Sequence, residues 1–190
     1  MPDAEWLVKI VVTGGFGVGK TTLVGAVSEI PPLRTEAVLT QASAATDSLT
    51  GVEGKTTTTV ALDFGRLTFA EPPMKVFFFG TPGQARFSHG WTDIAYGAVG
   101  TILLVDTSRL QDSFTSLTFA EELGIPFVVA VNQFEHDPNR YTPAEIRDAL
   151  ELAAHVPVVA CDAREAESVA HVLAALLTSL TSPSSCGAPL

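Results

Sequence analysis

The sequence predicts an α/β fold, in which helices cover both faces of a six-stranded mixed, mostly parallel sheet. Three observations support this prediction. Strand-like and helix-like segments alternate along the chain, as in sheets with crossover helices. Two continuous apolar runs, Thr101–Val105 and Pro126–Val131, are typical of strands buried on both faces. A glycine-rich turn directly follows the first strand, Leu7–Thr13, and leads into a helix.

Three more segments complete the predicted sheet. Thr58–Phe69 alternates only partly and is predicted as an edge strand, and Met74–Phe79 as its buried neighbour. The short connection between them favours an antiparallel hairpin. Val156–Ala160 is predicted as the last strand.

Helices are predicted at four places: Lys20–Ile30, Asp112–Leu123, Pro143–Ala153 and Arg164–Leu180. Pro31 and Pro32 end the first of them, because proline cannot continue a helix. The stretch Leu33–Thr57 has little periodicity and is predicted as a functional loop.

Composition narrows the classes of function. The chain has 190 residues and a formal net charge of −10, with only 11 Lys and Arg. That charge argues against a nucleic-acid partner and against attachment to an anionic membrane. No signal peptide and no stable membrane anchor are expected, and no apolar stretch approaches the roughly 20 residues of a membrane span. Two cysteines provide no disulfide framework, and a cytoplasmic location is expected. Residues 1–180 are predicted to form one domain, followed by a flexible tail, 181–190.

The segment Gly14–Thr21 matches the phosphate-loop pattern G-x-x-x-x-G-K-[ST]. Its glycines allow backbone N–H groups to turn toward a β-phosphate. Lys20 supplies positive charge to the β- and γ-phosphates, and the Thr21 hydroxyl is a predicted Mg²⁺ ligand. The predicted phosphate-binding residues are Gly14, Gly15, Phe16, Gly17, Val18, Gly19, Lys20, Thr21 and Thr22.

Four later segments follow this loop in a fixed order: Thr59–Phe64, Gly80–Phe87, Val131–Glu135 and Cys161–Arg164. Together with the phosphate loop they resemble the Ras-like small GTPases. The resemblance is to the bacterial branch that includes the gliding-motility polarity GTPases and the actinobacterial conservon GTPases. It covers about residues 5–180.

The resemblance implies roles for residues around the γ-phosphate. Thr59 matches the switch I threonine that contacts Mg²⁺, although its threonine neighbours leave the register open by one or two residues. Gly83 would donate its N–H to the γ-phosphate, and Gln84 would orient the attacking water. Lys20 and Gln84 are therefore the predicted catalytic residues.

The same stretches depart from the family's pattern. Gly80 occupies the position of the switch II aspartate that holds Mg²⁺ through water, and either Asp63 or Asp106 is a candidate to replace that carboxylate. The arginine that precedes the switch I threonine in the gliding-motility relatives is Thr58 here. The remaining candidate arginines are Arg34, Arg66 and Arg86.

The predicted base-recognition segment also departs from the pattern of the Ras-like family. Asn132 matches the asparagine of the family's N-K-x-D pattern, while Gln133 replaces the lysine and Glu135 the aspartate. Either carboxylate length can accept two N–H donors from guanine, so guanine preference is expected. Asp162, Ala163 and Arg164 match the loop whose backbone contacts the guanine O6, although Asp162 could equally cap the helix that follows.

Three functions remain open. The first is a regulatory switch that binds GTP and GDP with Mg²⁺ and hydrolyses GTP slowly. The second is a nucleotide-binding interaction module with negligible hydrolysis. The third is a P-loop kinase for a small molecule. The resemblance also implies a regulatory partner of the roadblock/LC7 class.

Overall fold

A computed structural model describes residues 5–31, 33–40, 57–83, 90–134 and 140–181. Within these residues the chain forms a single seven-stranded sheet in the order β2-β3-β4-β1-β5-β6-β7. The strands are β1 Trp6–Gly14, β2 Leu33–Thr40, β3 Thr57–Phe69, β4 Met74–Gly80, β5 Gly100–Val105, β6 Phe127–Asn132 and β7 Val158–Cys161. Five neighbours, β4-β1-β5-β6-β7, run parallel, while β3 pairs antiparallel with both β2 and β4.

Five α-helices occur in the described part of the chain: α1 Lys20–Val27, α2 Trp91–Ala95, α3 Phe114–Glu122, α4 Pro143–Ala149 and α5 Ala166–Thr181. A 3₁₀ helix, Thr107–Ser113, follows β5 directly. The N-terminus of α4 carries a capping box, in which Thr142 and Glu145 satisfy each other's backbone N–H groups. Because α5 ends at Thr181, the predicted tail otherwise lies outside the described residues.

The sheet has one strand more than the six predicted. Residues 33–40 form β2, where the sequence predicted a loop. This strand pairs with β3 from Leu33↔Phe64 to Thr40↔Thr57, so the prediction that β3 is an edge strand is wrong. Cross-strand pairing between segments so far apart in the chain does not require a hydrophobic repeat in β2 itself, which is why periodicity missed it.

Helix boundaries also differ from the predictions. The first helix ends at Val27 rather than Ile30, since proline disfavours helical geometry in the residue before it and the Ser28 hydroxyl bonds the Ile30 carbonyl instead. The second begins two residues late, because the 3₁₀ helix occupies its first turn. The helix α4 stops at Ala149. The short helix α2 was not predicted.

Helices cover both faces of the sheet. On β1, Ile10 and Val12 face the layer formed by α1 and α5. Val11 faces the other layer, where Trp91 of α2 and Phe119 of α3 meet edge to face at 5.2 Å between ring centroids. The helix α4 covers the same side next to β7. This three-layer α/β arrangement is a P-loop NTPase fold and confirms the predicted fold class.

The parallel strands end at a common edge of the sheet. Loops after the carboxyl ends of neighbouring parallel strands therefore lie together, which is where α/β proteins bind ligands. The phosphate loop follows β1, between the ends of β4 and β5. No helix in the described part of the chain is long and apolar enough to cross a membrane.

The core packing gives a stability prediction. Phe78 lies fully buried at the centre of β4, so Phe78→Ala removes its packing and leaves a cavity. We expect a loss of about 3–5 kcal/mol in the free energy of unfolding, measured by urea denaturation. Tyr96→Ala is the control, since its side chain is 86% exposed and its loss is expected to cost less than about 0.5 kcal/mol. Equal losses in both variants would contradict this arrangement of the core.

Candidate nucleotide-binding site

The phosphate loop connects the end of β1 to the start of α1. Gly19 precedes the helix at φ +104°, a left-handed conformation that residues with a side chain rarely adopt. No described side chain caps the first turn of α1. The N–H groups at this end of the helix are therefore available to an anion, and the helix dipole favours negative charge there.

Lys20 lies inside this loop rather than in solvent. Its side chain is only 7% exposed, and its Nζ donates hydrogen bonds to the carbonyl oxygens of Gly14 at 2.8 Å and Gly15 at 2.7 Å. Burial lowers the pKa of this ammonium to about 8, and the negative charge of Asp63 partly opposes the shift. Phosphate oxygens would replace the loop carbonyls and compensate the buried charge better than neutral dipoles can.

Gly83, in the segment that follows β4, lies against the same lysine. A Cβ built on Gly83 would lie 2.8 Å from Lys20 Nζ and 2.9 Å from the Cα of Phe16. Only glycine fits this approach. Gly83 thus lies beside the lysine predicted to hold the γ-phosphate, and its own phosphate contact stays a prediction. Gln84, the predicted water-orienting residue, lies outside the described residues.

Thr21 and Thr59 are the two predicted metal ligands, and the structure describes the side chain of Thr21 only. The Thr21 hydroxyl donates a 2.6 Å hydrogen bond to Oδ2 of Asp63 on β3. Thr59 lies on the same strand, paired with Val38, but its side chain is outside the described part. The other loop residues differ in exposure: Val18 is buried, Thr22 is exposed, and Phe16 presents a 67% exposed ring at the loop surface.

Asn132 joins three segments at the end of β6. Its side chain is 7% exposed. Nδ2 donates to the Val18 carbonyl at 2.9 Å, and Oδ1 accepts from the Ala163 N–H at 3.1 Å. The structure thus brings the predicted base-recognition residue into contact with the phosphate loop and with the loop after β7.

The other described residues of the predicted base site adjoin Asn132 or Ala163 in the chain. Gln133 is half-buried, and its N–H donates to the Cys161 carbonyl at 2.7 Å. Asp162 accepts the Arg164 N–H and pairs with its guanidinium, which lowers the pKa of the carboxyl to about 2. Asp162 therefore closes a turn ahead of α5 rather than capping the helix itself. Glu135 lies outside the described residues.

Arg109 in the 3₁₀ helix lies beside the phosphate loop and was not predicted from the sequence. Its guanidinium pairs with Asp106 at 3.0 Å and lies 3.7 Å from the position of a Cβ built on Gly17. The sequence signal that could have identified Arg109 is the polar segment that begins at Asp106. This segment follows the buried strand β5 directly, at the same sheet edge as the phosphate loop. By contrast Arg66, an earlier candidate, pairs with Glu29 beside β3.

Known proteins similar in sequence to this chain include a family described as nucleotide-binding, as expected for a chain with a phosphate loop. The sequence profile of a family described as "Conserved hypothetical ATP binding protein" matches residues 12–182. The chain belongs to this family. It is 31% identical over 128 residues to an uncharacterised protein of Methanocaldococcus jannaschii, an alignment that covers 66% of this chain and 70% of that protein.

Other similarities concern GTPases. A Ras-related protein of Arabidopsis thaliana is 29% identical over 65% of the chain, which spans half the length of that protein. The G domain of the FeoB iron transporter of T. maritima superposes with a TM-score of 0.63 at 17% identity, covering 91% of this chain and 98% of that domain. The GDP form of its cytosolic domain gives 0.66 at 15% identity, covering 94% of this chain and 65% of that one. The family member described here has a small GTPase fold, and its family and phosphate loop support nucleotide binding.

The lowered pKa of Lys20 gives a pH prediction. Above about pH 8 the lysine of the nucleotide-free protein loses its proton, whereas a bound polyphosphate restores the charge. We expect nucleotide binding to take up protons near about pH 9 and affinity to fall as the pH rises further. Calorimetry in buffers of different ionisation enthalpy measures this uptake.

Lys20→Arg is the control for this uptake, because arginine stays charged throughout that range. Proton uptake that persists in Lys20→Arg would show that another group titrates.

Asn132 gives a prediction that separates its structural role from base recognition. Asn132→Ala leaves the Val18 carbonyl and the Ala163 N–H without their partner, at about 1–3 kcal/mol for each buried group. We expect this loss in urea denaturation of the nucleotide-free protein. Gln133→Ala, at the neighbouring position, is expected to change stability by less than about 0.5 kcal/mol. A fully stable Asn132→Ala protein would contradict the structural role.

Proposed function

We propose that this protein is a small GTP-binding regulatory switch, which binds GTP and GDP with Mg²⁺ and hydrolyses GTP slowly. The observation that carries the proposal is the close approach of the Gly83 backbone to the buried Lys20, where a Cβ built on Gly83 would lie 2.8 Å from Nζ. A γ-phosphate held by Lys20 would meet the backbone that continues from β4. Loss of that phosphate would release this segment, which is how a bound phosphate orders switch regions.

The described residues fit a nucleotide-bound Mg²⁺ ion. They contain no cluster of three or more His, Cys, Asp or Glu side chains that could hold a metal by themselves. Mg²⁺ in such sites uses few protein ligands and completes its shell with phosphates and water. Thr21 would hold the ion together with Thr59. When bound, Mg²⁺ neutralises charge on the β- and γ-phosphates.

Support for guanine comes from the junction at Asn132. The side chain is fixed by the Val18 carbonyl and the Ala163 N–H, next to Gln133, as expected for a base-reading asparagine. The family description names ATP, whereas the plant relative is Ras-related and the similar solved structures include the G domain of an iron transporter and the GDP form of its cytosolic domain. Direct measurement with both bases therefore decides the ligand.

Slow hydrolysis is expected because the described residues place only one positive side chain inside the phosphate loop. Lys20 is the one basic side chain that the described residues place inside the phosphate loop. Arg109 lies outside the loop and is engaged by Asp106, and Arg66 is paired with Glu29. An arginine supplied in addition typically accelerates GTP hydrolysis about 10³–10⁵-fold.

Regulation by a partner completes the proposal. The resemblance to the conservon and gliding-motility GTPases implies a partner of the roadblock/LC7 class. The resemblance to these two groups and the partner class are both predictions. A partner that binds the switch segments could supply an additional arginine to the phosphate site or change the rate of nucleotide release.

Calorimetric titration tests the proposed ligand. Nucleotide-free protein is titrated with GDP, a non-hydrolysable GTP analogue and ADP, each with and without Mg²⁺. We expect guanine nucleotides to bind at least about tenfold more tightly than ADP, since one well-made contact to the base contributes about 1.4 kcal/mol or more. Binding of ADP as tight as that of GDP would contradict the GTP-binding proposal.

A further inference from the structure

The missing switch II carboxylate has a structural replacement within the same sheet. Gly80, at the end of β4, occupies the position where the resemblance places an aspartate. Its direct partner across the antiparallel β3–β4 pair is Asp63. Directly paired residues share one face of a sheet, so both positions face α1 and the phosphate loop.

Asp63 occupies the space that a side chain at position 80 would need. A Cβ built on Gly80 would lie 3.0 Å from the Cβ of Asp63 and 3.3 Å from its Oδ2. The first distance is tighter than nine in ten contacts of real Cβ atoms, so Asp63 would have to shift by a few tenths of an ångström. An aspartate at position 80 would therefore compete with the carboxylate already present, and the absence of a side chain at Gly80 makes room for Asp63.

The Asp63 carboxylate is also directed at the phosphate site. Its Oδ2 accepts the 2.6 Å hydrogen bond from Thr21, the hydroxyl that the phosphate-loop pattern assigns to Mg²⁺. The two residues are 42 positions apart in the chain, so β3 must carry the carboxylate to the start of α1. The charge of Asp63 also acts on the buried Lys20, which adjoins Thr21.

The other candidate carboxylate is engaged elsewhere. Asp106 accepts hydrogen bonds from the N–H and hydroxyl of Ser108 and from the guanidinium of Arg109. It follows β5, on the side of β1 opposite to β4. Both its position and its hydrogen bonds assign Asp106 to capping the 3₁₀ helix rather than to the cation.

We propose that Asp63 is the carboxylate that positions Mg²⁺ at the nucleotide, in place of the aspartate absent from position 80. This inference rests on the proposed function, because it assumes a nucleotide-bound cation. Asp63 acts through its contact with Thr21 and by its charge. The carboxylate of the site thus belongs to β3 instead of β4.

Exchange of the two residues provides the test. Asp63→Asn removes the charge but keeps an oxygen that can accept from Thr21, so the fold is retained. The double variant Asp63→Gly with Gly80→Asp returns a carboxylate to β4 and removes the competing side chain. Asp93→Asn is the matched control, since this carboxylate is exposed on α2. Release of a fluorescent GDP analogue is followed while Mg²⁺ is titrated, and thermal unfolding confirms that every variant is folded.

The half-effective Mg²⁺ concentration is the quantity compared. We expect it to rise about 10–100-fold in Asp63→Asn, to return toward the wild-type value in the double variant and to stay unchanged in Asp93→Asn. A wild-type Mg²⁺ response in folded Asp63→Asn would overturn the role of Asp63. If the wild-type protein binds no GDP, or releases it without regard to Mg²⁺, the proposed function itself fails, and the two failures are thereby distinguished.

Discussion

The buried ammonium of Lys20 is the constraint around which the site is organised. A charge removed from water must be compensated, and the hydrogen bonds described for Lys20 go to two neutral carbonyl oxygens. Two strands and one following segment contribute to its surroundings: β1 through Gly14, β3 through Asp63 and the segment after β4 through Gly83. The sheet thus holds a positive centre that neutral dipoles only partly satisfy, and a polyphosphate completes it.

On the opposite side of the phosphate loop, Asn132 determines how separate loops fit together. Its two hydrogen bonds tie the phosphate loop and the loop after β7 to the end of β6. A residue expected only to read a base is therefore also a structural bridge between loops. Any change that shifts β6 or β7 relative to β1 would disturb the phosphate loop and the loop after β7 together.

The sequence predicted the features that depend on local pattern. The buried strands β5 and β6 and the phosphate loop follow from composition and spacing over a few residues. What it missed depends on pairing between distant segments: β2 forms against β3, and Asp63 reaches Thr21 from another strand. Sequence left Asp63 and Asp106 as equal candidates, whereas the register of β3 on β4 and the hydrogen-bond partners of the two carboxylates distinguish them.

The close approach of Gly80 and Asp63 also bears on how such a site evolves. The two positions adjoin so closely that a carboxylate added at position 80 would crowd and displace the one at position 63 while both are present. If the carboxylate at position 63 were lost first, an ancestral protein would have no carboxylate at either position 63 or position 80. Each single step is unfavourable, and the two substitutions are therefore expected to be inherited as a pair. Lineages with the carboxylate on β3 would then stay separate from those with it on β4.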